Sequence, residues 1–217
     1  MPGQNGEDTI IVDYLKTVTD EYPHRFLDVG AFHPVAFSNT RVLVEAGWSG
    51  VYVEPAPGNF NTFLTEYRDN DKLLLVNAAI SHDCSLLEFW DSGGDALSSS
   101  VPDHVAKWQA IGVKFRRYLT KAITWEELLL AMAVDTDPIS VLSLDVESMN
   151  LELFNLLVQI RPVNLLMHLP PLIERLLPSL RVFVVEHDGH QEKMASALKP
   201  YGFKQHHLNG ENAIFVR

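Results

Sequence analysis

The sequence predicts an α/β fold of three layers around a mostly parallel, seven-stranded sheet that ends in an antiparallel hairpin. Three observations predict it. Short apolar runs (FLDV, VYV, LLLV, ISVLSL, RVFVV) alternate with helix-like stretches along the chain, as in a sheet covered on both faces. The first run is followed by the small residues Gly30-Ala31, which turn the chain sharply off the strand end. Two final strand patterns flank Asn209-Gly210, a hairpin turn signal.

Composition bounds the rest. At 217 residues the chain suits a single domain over 1–217 that buries roughly 70% of its unfolded surface. It is 47% hydrophobic and 21% charged, which describes a soluble globular protein. A net charge of −11 disfavours a phosphate backbone as partner, so no nucleic acid is expected. The one local basic cluster is Lys114-Phe115-Arg116-Arg117 with Lys121. Cys84 is the only cysteine, which rules out an internal disulfide and fits a reducing compartment. The absence of an 18-residue apolar run and the polar start MPGQNGEDTI predict no membrane partner and a cytoplasmic protein.

In chain order, residues 1–7 are expected to be loose. The spacing of Ile10, Ile11, Tyr14, Leu15 and Val18 predicts a helix over roughly 8–19. Phe26–Val29 is the first buried strand, and Ser38-Asn39 can cap a helix running to Gly47. Val51–Val53 is the second strand. Pro57 suits a helix start, with Phe60, Phe63, Leu64 and Tyr67 as its apolar face. Lys72–Ala79 reads as a third buried strand and Ser85–Trp90 as a strand at an edge. Residues 91–121 lack periodicity and read as a substrate-side flap, with Trp108, Phe115 and Tyr118 as packing anchors or substrate contacts. Thr124 and Glu127 form a capping-box pattern opening a helix to about Met132. Ile139–Asp145 is the fourth strand, followed by a helix from about Met149 to Val158. Asn164–Leu177 is apolar but broken at Pro170-Pro171, predicting one or two short helices. Arg181–Glu186 is the fifth strand, Gln191–Leu198 a helix closed by Pro200, and Tyr201–Arg217 the hairpin. A last strand running against the others suggests the Rossmann-like methyltransferase sheet.

The strand tips carry the chemistry. Ligands of open α/β sheets bind outside the carboxyl ends of parallel strands. Asp28 lies at the end of the first strand and Glu54 at the end of the second, 24 residues after Gly30. Glu54 can accept hydrogen bonds from two ribose hydroxyls of either a dinucleotide or S-adenosylmethionine. The three-glycine dinucleotide pattern is incomplete, because Phe32 and His33 follow Ala31 and Pro34 replaces a late glycine. Asp28, by contrast, suits a ligand with a cationic end, such as the amino group and sulfonium of S-adenosylmethionine.

FLDVGAFHPVAFSNT, EAGWSGVYVEPAP, NAAIS, ITWEELL, LSLDVES and VFVVEHDG together resemble the FkbM-type family of class I methyltransferases over about Phe26–Arg217. The resemblance implies S-adenosylmethionine as cofactor, O-methylation of a hydroxyl, and a sugar or small natural-product acceptor. It implies a methionine-end loop of Asp28, Gly30, Ala31, Phe32 and His33, a polar helix start at Ser38 and Asn39, and Glu54 on the ribose. Asn77, Ala78 and Ala79 fall where the family reads the adenine edge. Asp145-Val146-Glu147-Ser148 departs from the family's Asp-Val-Glu-Gly, since serine replaces a glycine that permits close approach or an unusual φ.

Methyl transfer to oxygen needs in-line alignment, exclusion of water and removal of a proton. Catalytic candidates are His187 as general base, with Asp145, Glu147 and Glu186 holding the acceptor or orienting the histidine; Asp188 and His190 lie nearby. Asp145 can also face the cofactor. These acids are equally candidates to share Mg2+. His33 faces a ligand or merely caps a helix, while His104, His168, His206 and His207 read as structural or solvated. Two rival readings stay open: a catalytically impaired cofactor-binding protein, and an NAD-dependent oxidoreductase.

Overall fold

The structure, a computed structural model, describes residues 3–94, 97–158 and 171–217. The first half holds α1 (Glu7–Leu15), β1 (Arg25–Val29), α2 (Arg41–Glu45), β2 (Ser49–Val53), α3 (Pro57–Glu66) and β3 (Leu73–Val76). Then follow β4 (Ala79–Ile80), β5 (Leu86–Asp91), α4 (Pro102–Gln109), β6 (Arg116–Ile123) and α5 (Trp125–Ala131). The remainder is β7 (Val141–Leu144), α6 (Asn150–Val158), α7 (Ile173–Leu176), β8 (Val182–Glu186), α8 (Gln191–Leu198), β9 (Lys204–Leu208) and β10 (Asn212–Val216).

The main sheet has seven strands in the order β3-β2-β1-β7-β8-β10-β9. β10 runs antiparallel to both its neighbours, and the pairs on the β3 side of β8 are parallel. This is the Rossmann-like methyltransferase sheet. Side chains alternate across it, as the pleat requires. Leu27, Val29, Val51, Val53, Leu142, Leu144, Phe183 and Val185 pack under α5, α6, α7 and α8. Phe26, Tyr52, Val141, Val182 and Val184 pack with Ile11 of α1, Leu43 of α2 and Phe63 of α3. Each fully buried side chain of this size contributes about 1.5–3 kcal/mol, so two continuous apolar faces fix the layers. The capping box at Thr124 and Glu127 is formed, and Trp125 Nε1 donates to the Leu153 carbonyl at 3.0 Å, tying α5 to α6.

Several expectations change. The segment before α1 is packed: buried Glu7 accepts from Asn5 N at 2.8 Å and from Asn209 and Asn212 Nδ2 at 2.8 and 3.0 Å. α1 stops at Leu15 rather than 19, ahead of the β-branched run Thr17-Val18-Thr19, which packs poorly in a helix. The third strand is the sheet edge and half exposed, and Ala79–Ile80 leaves it for a second sheet of order β4-β6-β5. The 91–121 segment holds α4 and most of β6. Its period was hidden because β6 carries Arg117, Leu119 and Lys121 outward, with Thr120 and Ala122 buried between them. Of the stretch expected to hold short helices, 164–170 lies outside the described residues, as does His168, and α7 is the short helix in the rest.

Equal register brings the tips of β1, β2, β7 and β8 level: Val29 pairs Val53 and Leu144, and Leu144 pairs Val185. Gly30 sits at φ +78°, and a Cβ there would lie 1.6 Å from the Asp145 carbonyl oxygen. Only glycine fits, for its conformation and for its lack of a side chain. Gly30→Ala is expected to cost about 3–5 kcal/mol in urea unfolding, or to prevent folding; an unaltered midpoint would mean the β1 and β7 tips are not in contact.

Candidate functional site

The four level tips open into a cavity of about 460 Å3 bounded on the far side by the Leu97–Trp108 segment. Glu54 forms one end. Its Oε2 accepts from Phe32 N at 2.9 Å and its Oε1 from Ala56 N at 2.8 Å. With Asn59 as a third donor, the carboxylate keeps one of its four acceptor positions. Gly30 N and Ala31 N both donate to the Val53 carbonyl at 3.0 and 3.2 Å, which ties the turn to β2. Phe32 is held at φ +54°, a conformation that costs a non-glycine residue about 1–2 kcal/mol. The bond to Glu54 helps hold it there.

Asp28 lines the cavity from β1. Its Oδ2 accepts from Thr40 Oγ1 at 2.6 Å, and Ser143 bonds it as well. Burial pushes its carboxyl up to about 6 against both hydrogen bonds. Burial likewise raises Glu54 to about 7, outweighing the Ala56 and Phe32 amides and Asn59, with Asp91 adding repulsion. Ser38 and Asn39 line the same wall. Ser38 Oγ accepts from Arg41 N at 3.1 Å, capping the start of α2, and Asn39 Nδ2 donates to Ser143 Oγ at 3.2 Å.

Asp145, Glu147 and Glu186 form the other end, with one oxygen of each within 4.8 Å of the others. Burial, then the charges of Glu186 and Glu147, push Asp145 well up. Glu186 is raised too, chiefly by burial, while its hydrogen bond with Asp145 opposes the shift. Carboxyl groups this close disfavour ionising together, the direction in which both are shifted. Buried Asn150 organises the cluster: its Nδ2 donates to Glu186 Oε2 at 2.5 Å and Asp188 Oδ2 at 3.1 Å, and its Oδ1 accepts from Val146 N at 2.9 Å.

Not every expected residue reaches the cavity. Gly30, Ala31, Phe32, Ala78 and Ala79 line it, but His33, Asn77 and His187 do not. His33 Nδ1 accepts from Val35 N and Ala36 N, both at 3.0 Å, and so folds its own turn. Asn77 Nδ2 donates to the Glu54 and Pro55 carbonyls at 2.8 and 3.3 Å, bracing the β2 tip from behind. His187 is buried, with Nε2 on the Asn209 carbonyl at 3.2 Å and Nδ1 accepting from Gly189 N at 2.9 Å. Its ring nitrogens are committed to the turn after β8 and to the β9–β10 hairpin turn, so His187 is corrected from general base to turn residue. The histidine that does line the cavity is His104 of α4, read from the sequence as structural or solvated. Asn150 was also missed; its place five residues after Asp145, opening a helix, was its one signal.

No protein-family model matches the chain, and no curated protein does. Among solved structures, Streptococcus pneumoniae Sp1610, described as a candidate tRNA (m1A22) methyltransferase, is 13% identical over 95% of this chain and 68% of its own, with a TM-score of 0.45. On this finding the expectation of a small-molecule or carbohydrate acceptor with no nucleic acid is corrected. The physical reason is that net charge averages over the whole surface and does not report the charge of one face, such as the outward side of β6 with Arg117 and Lys121. No helix among the described residues is long and apolar enough to cross a membrane.

The raised carboxyls predict a pH dependence. A carboxyl raised in the fold contributes stability that is complete below its unfolded value and is lost as pH rises through its folded one. For Glu54 that window runs from 4.5 to about 7. The ligand-free protein is expected to lose up to roughly 3 kcal/mol across it, and Glu54→Gln to flatten that part of the profile. Urea unfolding from pH 4 to 8 measures it; parallel profiles for the two proteins would show that Glu54 ionises normally.

Proposed function

We propose that this protein is an S-adenosylmethionine-dependent methyltransferase acting on a hydroxyl oxygen. One observation carries the reading. Among the described residues, the cavity is lined by seven carboxylates, Asp28, Glu54, Asp145, Glu147, Glu186, Asp188 and Glu211, and by one cationic side chain, Lys107. Such a site disfavours an anionic ligand and suits one bearing positive charge. The pyrophosphate of a dinucleotide would meet this acid wall, which argues against the oxidoreductase reading.

The residues fit the cofactor. Glu54, with one acceptor position left beyond its Phe32, Ala56 and Asn59 donors, would hold the ribose, and Ala78 and Ala79 leave room beside it for the adenine. Gly30, Ala31 and Phe32 would follow the methionine end, with Asp28, Ser38 and Asn39 toward its amino group. When bound, S-adenosylmethionine supplies a methyl group activated by a sulfonium. The chain's part is to orient an acceptor oxygen in line and to take its proton, and Asp145, Glu147 and Glu186 stand where an acceptor can be held. The motif set that resembles the FkbM-type family supports oxygen as the atom methylated. A second reading, cofactor binding with impaired turnover, draws on Ser148, whose φ of +69° is the conformation a glycine would take freely.

Calorimetry with S-adenosylhomocysteine should show binding that Glu54→Ala weakens by about 1–3 kcal/mol, roughly 10–100-fold. Methyl-labelled cofactor, offered with sugar, phenolic and RNA acceptors, should give label in an ether linkage. Label on a base nitrogen would end the oxygen assignment, and tight NADH binding in place of S-adenosylhomocysteine would end the cofactor assignment.

A further inference from the structure

Ser148 stands in the turn between β7 and α6 at φ +69°, where a serine costs about 1–2 kcal/mol that a glycine would not. Strain kept at a cavity is a reason to ask what the side chain does. The Ser148 hydroxyl is exposed and lies 2.7 Å from His104 Nδ1. His104 Nε2 lies 3.2 Å from the Leu97 carbonyl oxygen. A carbonyl only accepts, so Nε2 carries the proton and Nδ1 is the bare acceptor of the Ser148 O–H bond. The His104 side chain is 8% exposed, and both residues line the cavity beside Asp145, Glu147 and Glu186. Ser99 Oγ donates to the Glu147 carbonyl at 3.0 Å, holding the Leu97–His104 segment against this turn.

We propose that Ser148 and His104 form a proton relay that serves as the general base for the acceptor hydroxyl. This rests on the methyltransferase reading above. As the acceptor oxygen bonds the methyl carbon and the carbon–sulfur bond breaks, its proton goes to Ser148 Oγ. The proton already on Ser148 passes to His104 Nδ1, and the broken bond's electron pair stays on sulfur as a neutral sulfide. His104 then carries one positive charge, which the nearby carboxylates stabilise. Ser148 is the residue that touches the acceptor, and His104 acts through it. The charged groups facing His104 are Glu147, whose Oε2 lies 4.0 Å from Nε2, and Lys107 and Asp188. Burial holds the imidazole below its ordinary 6.5 against the Leu97 carbonyl bond, with Lys107 adding to the shift and Asp188 opposing it, so it is neutral and able to accept a proton at pH 7.

Ser148→Gly tests the relay, because glycine accepts this φ and removes the hydroxymethyl group; thermal unfolding should show it at least as stable as the wild type. In ring-15N histidine spectra, with His104 assigned through His104→Gln, the wild type should show the Nε2–H form with a hydrogen-bonded Nδ1, and Ser148→Gly should lose that bond. Turnover should fall about 100-fold with unchanged affinity for S-adenosylhomocysteine. The wild-type rate should decline as pH drops through the His104 pKa, and the variant should lack that limb. Wild-type turnover in Ser148→Gly, or an Nδ1–H tautomer, overturns the relay alone. Cofactor binding without transfer by either protein overturns the methyltransferase reading and the relay together.

Discussion

The site depends on one close approach. With no side chain on Gly30, the end of β1 meets the Asp145 carbonyl at the end of β7, and the parallel ladder then sets Glu54 and Glu186 at the flanking tips. A methyl group at position 30 would part the central strands where the sheet is most buried. The local strain follows from the same arrangement. Phe32, Phe37, Glu147, Ser148 and Asp188, five non-glycine residues with positive φ, all line the cavity. At about 1–2 kcal/mol each, they persist because two apolar faces of the sheet hold the strands on which they sit.

Charge is the second constraint. Seven carboxylates with one lysine cannot all ionise in a half-closed cavity at little cost. The chain relieves this with neutral donors, placing Thr40 and Ser143 on Asp28, backbone amides on Glu54 and Asn150 on Glu186. Asp145 and Glu186 take part by being held toward their neutral forms. What is left is a pocket whose electrostatic preference is set before any ligand arrives.

The main sheet was legible because its strands are continuous apolar runs and its turns use Gly30, Pro57 and Asn209-Gly210, each with a local physical signature. Asp28 and Glu54 were legible for the same reason, as acids ending such runs. The second sheet was not, because β6 mixes cations with Leu119 on its outward face and shows no clean alternation. His104 went unseen with it, since its partner Ser148 lies 44 residues away and nothing in local spacing joins them. His187 misled in the opposite way: a histidine after a strand-end acid looks catalytic, but an intervening turn directs both its nitrogens to backbone.

The chain passes from the large sheet to the small one at Asn77-Ala78, between β3 and β4. Within the small sheet β4 pairs with β6 at two positions, Ala79 with Ala122 and Ile80 with Ile123, whereas β5 and β6 pair along six. A pair of strands stitched along six rungs and joined to β4 by two is expected to loosen at β4 ahead of global unfolding. Opening there would widen the cavity at Ala78 and Ala79, which line it, while the seven-stranded floor keeps its shape.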